Sequence, residues 1–99
     1  MSELPKELVD QLLSLIDQLR SESADFYQSH EDTQQWYNRG YANGMVLGLT
    51  EIAGADVLAG RGTDEAELLQ GHEVMAWGKA YRHGEEMGKK ETYEITGAG

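Results

Sequence analysis

A chain of 99 residues makes one domain with a modest core, and 39% hydrophobic with 26% charged side chains places it among folded rather than disordered proteins. It has no cysteine, which excludes disulfides and thiolate metal sites and fits a reducing, cytoplasmic setting. With 18 acidic against 8 basic side chains the net charge is −10, a surface that repels phosphate backbones and anionic lipid and attracts basic proteins, including those that handle nucleic acid.

The opening residues Met1 to Glu7 carry no basic region followed by an apolar core, so no secretory signal is expected. A first helix is expected from near Pro5, since proline suits the first helical turn. Leu8, Leu12, Leu15 and Leu19 form a heptad seam that Val9, Leu13 and Ile16 widen, while Glu7, Asp10, Gln11, Asp17 and Gln18 occupy the opposite face. The helix is expected to end between Arg20 and Phe26, with a polar turn over 21–33. Residues 1–35 hold eight acids against Lys6 and Arg20, a local balance of −6. Ser29 followed by Asp32 resembles a capping box and sets the start of a second helix, which is expected to run to about Ala59. Its most apolar part, Ala42 to Ala59, contains Glu51 and Asp56 and is too polar to span a bilayer. Tyr37, Tyr41, Gly44, Gly48, Ile52 and Ala55 share one face, and Val46, Leu47, Leu49 and Ala53 cover much of the rest, as expected of a buried central helix.

Ala59-Gly60-Arg61-Gly62 reads as the second turn. Thr63 is a good N-cap, and Asp64, Glu65 and Glu67 favour a helix amino terminus, so a third helix is expected from there to about Lys90. Val74, Trp77, Tyr81, Gly84 and Gly88 line up along it. Residues 91–99 lack a helical signal and are expected to be a flexible tail.

One pattern occurs twice. Arg39-Gly40-Tyr41-Ala42-Asn43-Gly44-Met45-Val46-Leu47-Gly48 and Lys79-Ala80-Tyr81-Arg82-His83-Gly84-Glu85-Glu86-Met87-Gly88 both read basic, small, Tyr, then Gly and Gly four apart, with Trp36 or Trp77 just before. Glycine within a helix costs about 1 kcal/mol relative to alanine. Gly40, Gly44, Gly48, Gly71, Gly78, Gly84 and Gly88 therefore require a reason, and close approach of another backbone or a large ring supplies one. The two copies predict pseudo-symmetric packing of helices two and three, or the same faces pairing between subunits of a homo-oligomer. Open rather than sealed, these faces would form a ligand cleft lined by Trp36, Arg39, Tyr41, Gly44, Trp77, Lys79, Tyr81 and Gly84. Arg39, Lys79 and Arg82 are expected mainly to pair with the abundant carboxylates.

Catalytic signatures are lacking. No phosphate-loop run exists around Gly60-Arg61-Gly62, His72-Glu73 has Ala76 where a zincin needs its second histidine, and no serine lies in a nucleophile elbow. His83 and Glu86 make only half a metal site, and Glu85 and Glu86 point apart. An enzyme, a metal site and a bound cofactor are not expected.

The expected fold is all-α, three helices in a single domain over 1–99, with helix two central and a weak repeat between helices two and three in an oligomeric bundle. The expected function is that of a non-enzymatic protein-binding inhibitor or adaptor. Its acidic first loop, with Glu22, Asp25, Glu31 and Asp32 around Tyr27, would occupy a basic, nucleic-acid-handling site on a partner, without binding nucleic acid or membrane itself. In charge, size and helicity the chain resembles the small acidic helical proteins that phages use against host defence systems, such as nucleic-acid mimics. The alternatives are a homo-oligomeric module that sequesters a nucleotide-type ligand in the cleft, and a structural assembly protein.

Overall fold

The computed structural model describes residues 4–29, 31–64 and 68–98. Glu3 of the acidic first third, Glu65 and Glu67 of the expected third-helix start, and Gly99 of the tail lie outside them. The described residues form three α-helices and no strand: α1 (Lys6–Glu22), α2 (Thr33–Ala53) and α3 (Ala76–Thr96). Two short 3-10 turns, Phe26–Gln28 and Ala55–Leu58, punctuate the connections.

α1 starts after Pro5, whose carbonyl accepts the amide of Val9 at 3.1 Å. Its leucine seam does what the spacing implies. Leu12 and Ile16 are fully buried against Ala42, Met45, Val46 and Leu49 of α2, with Leu8, Leu13, Leu15 and Leu19 around them. α2 is the central element, touching α1 on one side and α3 on the other.

α2 is capped by Asp32, not by the expected Ser29. The Asp32 carboxylate accepts the backbone amide of Gln35 at 3.3 Å and the Gln35 side-chain amide at 3.1 Å. Ser29 instead offers its carbonyl to the Trp36 indole N–H at 3.2 Å. The helix ends at Ala53, six residues before the expected Ala59, because Gly54 adopts φ +91°, a conformation no helix contains. The chain then turns so that Leu58 enters the α1–α2 core.

The expected third helix from Thr63 does not form at that point. Asp64 is drawn inward by side chains of α2 and α3, Leu69 is buried beside Trp36 and Trp77, and Gly71 has φ +79°. Each of these holds the described part of 61–75 as an irregular strap, and α3 begins only at Ala76, after Met75 in extended backbone. Val74 is therefore not on α3 and is 77% exposed. Gly78, inside α3, is required by this strap: a β-carbon there would stand 2.2 Å from the carbonyl oxygen of His72.

The expected end of the third helix near Lys90 is also corrected. α3 continues to Thr96 because the residues after Lys90 pack on α2. Thr92 is buried against Gly48, Tyr41 donates its hydroxyl to Glu91, and Tyr93 donates to Glu51. The Tyr93 hydroxyl and then Lys89 hold the Glu51 carboxyl below its usual range. Gly97 at φ +78° closes the helix with a Schellman motif, its amide bonding to Glu94 and that of Ala98 to Tyr93.

α2 and α3 run parallel and in backbone contact. A β-carbon on Gly40 would stand 2.0 Å from the Tyr81 carbonyl oxygen, on Gly44 2.0 Å from that of Glu85, on Gly84 2.1 Å from that of Tyr37, and on Gly88 2.1 Å from that of Tyr41. Each glycine thus faces a carbonyl, not a tyrosine ring. The reciprocal contacts relate Gly40 to Gly84 and Gly44 to Gly88, one helical turn out of step with the sequence pattern, which aligns Gly44 with Gly84. Such contact permits weak Cα–H···O bonds and wide van der Waals overlap along both backbones. The pairing lies within a single chain.

Candidate functional site

The acidic connection between α1 and α2 is built on an aromatic footing. Ser23, fully buried, closes α1 by donating its hydroxyl to the Leu19 carbonyl at 2.6 Å. The 3-10 turn that follows inserts Phe26 into the core and turns Tyr27 outward. Phe26 meets Trp36 edge-on at 4.8 Å between centroids and lies under the Arg39 guanidinium at 5.0 Å. Trp36, 1% exposed, continues to Trp77 at 4.3 Å and Tyr81 at 6.4 Å. Tyr27 packs edge-on to Phe26 at 6.0 Å and lies 6.3 Å from Trp36, yet remains 61% exposed.

The four expected acids surround this ring in sequence. Glu22, the last residue of α1, accepts the Gln18 side-chain amide at 3.1 Å. Asp25 precedes the 3-10 turn, and Glu31 and Asp32 precede α2. All four are exposed, and among the described residues none forms an ion pair. Asp32 has a structural duty as well, as the cap of α2.

The residues of the expected ligand cleft are dispersed differently. Trp36, Trp77 and Tyr81 fill a sealed aromatic core with Phe26 and Leu69. Gly44 and Gly84 form the helix contact, Tyr41 reaches Glu91, and Lys79 is exposed. Arg39 pairs with Asp64, its guanidinium donating at 2.7, 3.1 and 3.2 Å to the two carboxylate oxygens. Its carboxylate partner could not be picked out of the sequence, because no local spacing connects positions 39 and 64.

That carboxylate is the hub of a polar cluster that sequence reasoning missed. Asp64 also accepts the Tyr81 hydroxyl at 2.6 Å, and its backbone amide donates to the Asn43 side chain at 2.8 Å. Asn43 in turn donates to Glu85 at 2.7 Å, which pairs with Arg82 at 3.1 Å. Burial first, and then the bond to Asp64, push the Tyr81 hydroxyl far above its ordinary pKa. Arg20 of α1 joins from the other side, donating to the Gly62 carbonyl at 2.6 Å, while Asp17 grips Arg61 at 2.7 and 2.8 Å. Burial and the neighbouring Arg39 lower the Arg20 pKa. The cluster ties the strap to all three helices.

Beside it lies a cavity of about 50 Å³, bounded by Asn43, Asp64, Leu68, Leu69, Tyr81, Arg82 and Glu85. Ligand pockets run to about 300 Å³ and more, so this one has space for a few waters and not for a nucleotide. A shallow groove of about 360 Å³ lies at the opposite end, between Leu4, Glu51, Ile52, Tyr93 and Thr96. Among the described residues no three His, Asp or Glu side chains are grouped to hold a metal ion, and no helix is long and apolar enough to cross a membrane.

No family model matches the chain, and no curated protein or solved structure is significantly similar to it.

Proposed function

We propose that this protein is a non-enzymatic binding module that inhibits or adapts a basic partner protein, occupying a site that otherwise handles nucleic acid, in the manner of phage anti-defence proteins. The observation that carries this reading is Tyr27. A large aromatic ring stands 61% exposed, braced from beneath by Phe26 and Trp36, within a segment whose four carboxylates are in no ion pair among the described residues. An exposed tyrosine packed on buried rings offers contact area at little entropic cost, and carboxylates free of ion pairs in the same segment steer a positively charged partner and fix its register. Elsewhere Asp17, Glu51 and Glu85 are paired, with Arg61, Lys89 and Arg82, while exposed Glu7, Asp56, Glu73, Glu86 and Glu94 are in no ion pair among the described residues, so it is Tyr27 beside its acids that sets this segment apart.

The test is affinity capture from nuclease-treated lysate with a salt-gradient elution, using the wild type beside Asp25→Lys/Glu31→Lys. This pair spares the capping Asp32. The expected result is a basic, nucleic-acid-handling protein held by the wild type, released at raised salt, and lost with the double variant. Equal retention by both proteins would remove the acidic loop as the binding surface.

A further inference from the structure

The parallel arrangement of α2 and α3 brings their amino-terminal ends to one end of the molecule, and this has a consequence for where a partner sits. Among the described residues four large hydrophobic side chains are exposed: Tyr27, Val74, Met75 and Ile95. Ile95 lies near the carboxyl end of α3, whereas the other three gather at the opposite end. Tyr27 lies 6.3 Å from Trp36, near the start of α2; Trp77, near the start of α3, lies 4.3 Å from the same ring, and Val74 and Met75 immediately precede α3. Val74 is 77% and Met75 47% exposed, two apolar side chains adjacent in sequence at the start of α3. Glu73, next to Val74 in the chain, adds an exposed acid, and Lys79 in the first turn of α3 is an exposed cation.

We infer that the docking face extends across both helix amino termini, with Val74 and Met75 joining Tyr27 as an apolar centre rimmed by acids, and that it takes a basic amphipathic segment of the partner protein. This rests on the reading of the acidic loop given under the proposed function and adds its second half. Charge selects the occupant. A second copy of this chain would bring the same acids against themselves at a net charge of −10 per molecule, which opposes self-association through this face. A purely basic segment would satisfy the carboxylates and leave Val74 and Met75 in water. A segment bearing aliphatic side chains between its lysines or arginines satisfies both.

The test titrates the isotopically labelled full chain with two probes, a Lys/Leu amphipathic peptide and an oligolysine of equal charge, following amide shifts and affinity together. The amphipathic peptide is expected to bind about tenfold more tightly, as burial of one aliphatic side chain implies, and to shift the amides of Tyr27, Glu73, Val74 and Met75. Val74→Ser/Met75→Ser is expected to remove that advantage and leave the oligolysine affinity unchanged. Serine is a favourable N-cap at position 75, so this variant keeps α3. If Asp25→Lys/Glu31→Lys weakens both probes while the serine variant changes neither, the extension is overturned and the acidic loop stands. If neither variant affects either probe, both readings fall. Concentration-dependent shifts at Val74 and Met75 without any peptide would identify a second copy as the occupant and overturn the inference.

Discussion

Gly44 of α2 lies against the backbone carbonyl of Glu85 on α3, so closely that a β-carbon would stand 2.0 Å from the oxygen. The obstacle is backbone and cannot rotate away. Gly44→Ala and Gly88→Ala are each expected to force the helices apart and cost about 3 kcal/mol, despite the gain in helix propensity. At Gly48 the nearest neighbour is the Thr92 side chain at 3.3 Å, so Gly48→Ala is expected to stay within about 1 kcal/mol of wild type. Urea denaturation of the three variants checks this. Wild-type stability in Gly44→Ala would contradict the contact.

Asp64→Asn keeps the shape of the hub and removes its charge. Arg39 loses its bidentate partner, and the nearly buried Tyr81 hydroxyl loses a charged acceptor. The expected cost is about 2 kcal/mol, below the range for a fully buried pair because the Arg39 side chain is 24% exposed. Hydrogen exchange should show the loss as faster exchange through the strap around Leu68 and Leu69, with α1 little changed. Uniform destabilisation of all three helices would mean that Asp64 is not a local anchor.

Two tyrosines are held protonated by the fold. Burial first, then the bond to Glu91, raises the Tyr41 pKa, and burial with the Asp64 bond raises that of Tyr81. Because these folded values lie above the unfolded one, the stability they contribute is complete below about pH 10 and is lost as pH rises from there towards the folded values. Phenolate absorbance is expected to show a component that ionises only as the protein unfolds in alkali, and Tyr81→Phe should reduce its amplitude. A titration in which every tyrosine ionises at the ordinary value with the fold intact would rule this out.

Gly97→Ala should shorten α3. An alanine at φ +78° costs about 1 kcal/mol, and the Schellman bonds to Glu94 and Tyr93 weaken with it. The expected signature is fraying of residues 93–96 in amide exchange, with the Gly44–Glu85 contact preserved. Unchanged protection at Ile95 and Thr96 would show that packing on α2 alone holds the last turn.

The helical class, the span of α1 and the need for close approach at the repeated glycines are all legible in the sequence. Those follow from local periodicity and from the cost of glycine in a helix, which is the same in any tertiary setting. The sequence also marks the acidic stretch with Tyr27 at its centre, since charge and aromatic content are read directly. Where α2 stops and α3 begins follows from the fold, because Gly54, Asp64 and Gly71 break or withhold helix through a backbone angle and through partners on α2 and α3 distant in sequence. The fold also carries α3 past Lys90, since Thr92 and Tyr93 gain their helical support from Gly48 and Glu51. Tertiary packing buries Trp36, Trp77 and Tyr81 in one cluster and leaves Val74 and Met75 exposed. A parallel helix pair with a strap returning between its ends depends on contacts some 40 residues apart in the chain, such as Gly44 with Glu85, and no local pattern encodes their register.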